Sequence, residues 1–140
     1  MARAQTAYLD RKNVPDRKAL QQVIKDLKFN LSVDDGYLPF ESSGYLPCTL
    51  EGEDSGFNIR FQDVDEAALP EKVKAEIGDR NIAIAFKWGG DKREFVSVMA
   101  VCAALAKNFG AIVHVPDDDL LYSTEDLLAK AKKAADTLFD

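Results

Sequence analysis

The chain predicts a single α+β (or mixed α/β) domain, with about three main helices packed on a mixed sheet of about four to five strands. Two observations carry this reading. Asn81 to Val115 reads as strand, turn, helix and strand in direct succession. Tyr45 to Phe61 reads as a hairpin with one apolar face. Helical stripes stand on either side of these two units, and no linker divides the chain. Its 140 residues are read as one domain, 1–140, long enough to enclose a core.

Residues 1–12 are polar, and Tyr8 and Leu9 are placed at most in an edge strand. A helix begins near Pro15. Asn13 is the expected N-cap, and Leu20, Val23, Ile24 and Leu27 form one apolar stripe. Leu31-Ser32-Val33 is a short strand ended by the turn signal Asp34-Asp35-Gly36. The phrase Gly-Tyr-Leu-Pro occurs at Gly36 and again at Gly44, and both copies are read as extended because residues before proline avoid the α region.

The hairpin follows, with arms Tyr45–Leu50 and Gly56–Phe61 and the acidic connection Glu51-Gly52-Glu53-Asp54-Ser55. Phe57, Ile59 and Phe61 alternate with Asn58, Arg60 and Gln62, so one face is buried and the other wet. A short helix over Pro70–Ile77 ends at Gly78. Asn81 to Trp88 then forms a strand, Gly89-Gly90 a turn, and Asp91 to Asn108 a helix capped by Asp91 and Glu94. That helix is apolar nearly all round, which marks it as buried. Gly110 ends it, residues 111–115 form another strand, and a final helix starts at Ser123.

The net charge of −6 is uneven: residues 1–30 carry +4, residues 31–80 carry −8, and the remainder −2. This argues against non-specific nucleic-acid binding, which needs clustered Lys and Arg. No secretory leader is expected, because no apolar run follows the first residues, and no apolar run is of membrane-spanning length. Cys48 and Cys102, far apart in the chain, read as reduced core thiols, and together these features imply a cytoplasmic protein.

No residues of the sequence form a convincing catalytic constellation. His114 lies mid-strand, sharing a face with Ile112; a general base there would have Asp117 to Asp119 close by, and the plainer reading is a partly buried histidine with an ordinary partner. Asp117-Asp118-Asp119 reads as a solvated loop, because three consecutive carboxylates do not converge on one ion. The stretch from Glu51 fails as a calcium loop, since Gln62 stands where a bidentate acid belongs. Gly89-Gly90-Asp91 lacks both phosphate-loop spacings and is acidic. No metal, cofactor or catalytic residue is therefore expected. Trp88, ending a strand beside Gly-Gly, is expected to be partly exposed and to anchor an interface.

Gly44-Tyr45-Leu46-Pro47 with Leu50-Glu51-Gly52, Ser55-Gly56-Phe57, and Ala100 to Leu105 followed by Gly110-Ala111-Ile112-Val113 carry a resemblance. Over residues 36–61 and 86–128 the chain resembles small bacterial immunity proteins, the antitoxin partners of type VI secretion effectors and other polymorphic toxins. The resemblance implies a cytoplasmic, non-catalytic protein that occludes the active site of one cognate toxin. The acidic groups Asp34, Asp35, Glu51, Glu53, Asp54, Asp63 and Asp65 are expected to form a patch beside the hairpin that steers a basic partner. Two alternatives stand beside it. One is a ligand-binding or enzymatic domain with a site near Trp88, His114 and Asp117. The other is a module that self-associates through its sheet edge.

Overall fold

The computed structural model describes residues 3–138. Strands β1 (Ala4–Leu9), β2 (Leu31–Val33), β3 (Ser43–Leu50), β4 (Glu53–Asp63), β5 (Ile82–Lys87), β6 (Ile112–Val115) and β7 (Leu120–Tyr122) join one sheet. Helices α1 (Arg17–Asp26), α2 (Glu71–Glu76), α3 (Lys92–Asn108) and α4 (Thr124–Asp136) accompany it. The strand order is β2-β3-β4-β5-β1-β6-β7, and every neighbouring pair is antiparallel.

The α+β class holds, but the sheet is larger than expected and it is not mixed. The unit Asn81–Val115 does form strand, helix and strand. Its two strands run parallel, yet they never touch, because β1 inserts between them and pairs antiparallel with both. The residues placed at most on an edge are thus near the centre. Gln5, Ala7 and Leu9 face the main core, and Tyr8 packs on the opposite face with Ala83. A strand buried on both faces shows no clean alternation. The second addition, β7, has only three residues and follows an acidic turn.

Local signals explain most other boundaries. Helix α1 is capped by Asp16, whose side chain accepts from Ala19 N at 2.8 Å, and not by Asn13. Asn13 belongs instead to a 3₁₀ turn capped by Asp10. The hairpin connection is shorter than expected: Glu51 (φ 51°) and Gly52 (φ 79°) alone make the turn. Two successive positive φ values match the right-handed twist of the strands they join. Asp91 caps α3 through Arg93 N at 2.7 Å, while Glu94 reaches back to Gly89 N at 2.8 Å.

Helices α1, α3 and α4 cover one face of the sheet, with the apolar stretch Val96 to Leu105 of α3 in the middle. A buried polar contact joins sheet and helix in the core, Ser55 Oγ to Ser97 Oγ at 2.8 Å. The opposite face is covered only in part. Val73 of α2 and Ile77 just after it pack on Tyr8 and Ala83, with Ile112 and Leu121 beside them. None of the helices in the described residues is long and apolar enough to cross a membrane.

Candidate functional site

The uncovered part of the sheet follows from its register. Tyr45 stands opposite Asn58, and Asn58 opposite Lys87; in the next row Ser43, Arg60, Ala85 and Thr6 stand in line. Apart from Ala85 and Thr6, these side chains are exposed, and they share the face away from α3. Tyr45 is the large hydrophobic side chain that this face exposes, at 57%. Its hydroxyl donates to Ser55 O at 3.1 Å, which lays the ring across Gly56. A shallow depression of about 340 Å³ lies between Ser43, Asn58, Arg60, Gln62 and Lys87.

The seven acidic residues do not form one patch. Asp34, Asp35 and Asp54 line a second depression of about 430 Å³ with Arg17 and Thr49. Asp35 lies 3.3 Å from the Arg17 guanidinium, so part of this charge is compensated. Glu51 accepts from Asn30 at 3.1 Å, and Glu53 pairs with Arg93 at 2.7 Å. Asp63 and Asp65 are elsewhere: Asp63 pairs with Arg11, and Asp65 caps a 3₁₀ turn through Ala67 N. Ten residues of extended chain separate Glu53 from Asp63, or about 33 Å at ~3.3 Å per residue. The acidic cluster that remains is Asp34, Asp35 and Asp54 at the β2–β3 margin of the open face.

Trp88 is not exposed as expected. It is 8% accessible and packs on Phe95, ring centroids 5.7 Å apart. It forms a wall of a cavity of about 650 Å³ at the end of the sheet where β5 and β6 finish. Arg3, Gln5, Tyr122 and Lys130 also line that space. No sequence motif marks it, because its walls come from four separate segments of the chain.

Trp88 and His114 do not share a site. Alternation along β5 and β6 sends them to opposite faces of the sheet. His114 is 2% exposed, and its Nε2 lies 2.9 Å from Oδ1 of Asp119, the last of the three consecutive aspartates. Asp119 in turn receives Lys72 Nζ at its carbonyl, 2.7 Å away. The hydrogen bond with His114, with the charge of Lys72 nearby, holds the Asp119 carboxyl below its ordinary range. This ties α2 to the turn before β7, with the imidazole closed off from solvent. Among the described residues, no three His, Cys, Asp or Glu side chains converge as a metal site.

Sheet edges bear on self-association. The outer edge of β2 is sealed by α1: Gln21 Nε2 donates to Leu31 O at 2.7 Å, and Val33 N donates to Gln21 Oε1 at 2.8 Å. Arg17 Nε adds a bond to Val33 O at 2.7 Å. One side-chain amide thus takes the place of a neighbouring strand, a recognised way to blunt an edge.

Comparison with protein-family models, with curated proteins and with solved structures yields no significant match.

Proposed function

We propose that this chain is a binding protein of the immunity type, which docks on a cognate toxin and blocks its active site without performing chemistry. The observation that supports this reading is the open sheet face over β3–β5. An antiparallel sheet covered by helices on one side is stable with its other side in water. Here that side presents Tyr45 among Asn58, Arg60 and Gln62, with Asp34 and Asp54 at its margin. Tyr and Arg are the residue types enriched at interface hot spots. The acidic margin would speed encounter with a basic partner more than it would tighten the complex.

The test uses the toxic domain encoded beside this chain, if the neighbouring reading frame specifies one. Purified chain should bind that domain and suppress its activity at equimolar ratio. Tyr45→Ala should weaken binding by about 2 kcal/mol or more, as a hot-spot truncation does. Asp54→Lys should slow association at low salt and have little effect at high salt. A toxin bound with unchanged affinity and kinetics by both variants would remove the sheet face from the account. A neighbouring product that is neither toxic nor bound would remove the immunity reading itself.

A further inference from the structure

The strand-end cavity lies on the helix-covered side of the sheet, opposite the open face, and has a different chemistry. At about 650 Å³ it has the size of a small-molecule site. Its walls include three aromatic rings, those of Trp88, Phe95 and Tyr122. Cations stand around them. The Arg3 guanidinium lies over Gly90, close enough that a Cβ there would sit 3.3 Å from it. Lys130 Nζ lies 5.6 Å from the centre of the Tyr122 ring. Among the described residues, neither cation lies within 4.0 Å of a carboxylate. Of the two acids on the lining, Asp91 is engaged at both oxygens by Arg93, at 2.7 and 3.5 Å, and Asp118 is exposed in the 116–119 turn.

Gln5 is the second, independent observation. It lines the cavity and is 2% exposed. An amide so buried normally bonds to oxygen or nitrogen. Among the described residues its Nε2 donates to the Met99 sulfur, at 3.7 Å. Sulfur is a weak partner for an amide, so an oxygen acceptor entering the cavity can replace it.

We propose that this cavity binds a small aromatic carboxylate. The ring lies among Trp88, Phe95 and Tyr122, the carboxylate faces Arg3 and Lys130, and the Gln5 amide supplies a directed hydrogen bond. Apolar walls with a few placed polar groups are how such sites combine affinity with orientation. The aromatic ring is favoured over a flexible acyl chain because all three walls are themselves rings.

The chain has one tryptophan, so its single indole resonance reports on this cavity alone. The probes are 1-naphthylacetate and its neutral counterpart 1-naphthylethanol, titrated into the full chain and followed by the Trp88 indole signal and by calorimetry. The carboxylate should shift the resonance saturably and bind at least about tenfold more tightly than the alcohol. Lys130→Gln and Arg3→Gln should each weaken the carboxylate several-fold and leave the alcohol unchanged. Gln5→Leu should weaken both, and Arg60→Glu, on the open face, neither. An indole signal that does not move up to millimolar carboxylate overturns the proposal. So does equal binding of acid and alcohol, or carboxylate binding unaffected by both charge variants. Lys130 is exposed, so its variant keeps the test informative even where Gln5→Leu unfolds the chain.

Discussion

Gly56 is the position in this chain least able to accept a side chain. A Cβ there would lie 2.4 Å from the Tyr45 hydroxyl oxygen and 2.7 Å from Leu46 O. The tyrosine can swing away, but the carbonyl belongs to the paired strand. Gly56→Ala should therefore cost about 1–3 kcal/mol in urea denaturation, and Tyr45→Ala should restore only part of it. The serine pair gives a second test. Ser97 donates to Arg93 O at 2.8 Å, so the proton between the serines comes from Ser55. Ser97→Ala strands that buried donor and should cost about 1–3 kcal/mol. Adding Ser55→Ala should cost less than the two single losses together, which a double-mutant cycle measures. The two Gly-Tyr-Leu-Pro phrases show where reading by residue type stops. In the first, Tyr37 is 3% and Leu38 51% exposed; in the second, Tyr45 is 57% and Leu46 3% exposed. Tyr37 turns inward to donate to Pro15 O at 3.0 Å, a partner more than twenty residues away. Identical local sequence takes opposite burial because the distant contact decides.

At the scale of elements, Gln21 joins α1 to the edge of β2. Gln21→Ala should cost about 1–2 kcal/mol for two part-buried hydrogen bonds, and it reopens Leu31 O and Val33 N to another chain. The variant should form concentration-dependent oligomers by light scattering where the parent does not. A variant that stays monomeric would show that Arg17, or the shortness of β2, is enough to block pairing. Periodicity marked the amphipathic and the fully apolar elements, α1, α3, α4 and the hairpin. It failed for β1, whose two buried faces mix Gln5, Thr6 and Ala7, and for β7, whose three residues offer no period. Strand partners are also invisible to a one-dimensional pattern. This is why the unit Asn81–Val115 was legible as strand, helix and strand while the intruder between its strands was not.

For the whole molecule, the core sets an alkaline limit on stability. Burial pushes the Cys48 and Cys102 thiols up to about 12 from an ordinary value of 9.0, partly offset at Cys102 by the bond with Gln5. Burial also raises the Tyr37 hydroxyl, with the Asp16 charge adding to it. Each group stays protonated longer in the folded state than in the unfolded one. Their contribution is complete below pH 9 and is lost as pH rises toward 12. Each thiol adds a slope of up to about 1.4 kcal/mol per pH unit, which denaturation at stepped pH should reveal and Cys102→Ala should reduce. The candidate site was less legible than the fold. Acidic residues close in sequence lie at opposite ends of β4, and the cavity wall comes from segments as distant as Arg3 and Lys130.

The position of β1 has a consequence in time. It leaves the ribosome before its partners, and β6, on its far side, follows about a hundred residues later. At about 5–20 residues per second, the first strand waits on the order of 5–20 s before the sheet can close around it. During that interval Ala7, Leu9 and the apolar arms of the hairpin have no finished core to enter. The sheet therefore closes as a unit once β6 has emerged, and not segment by segment.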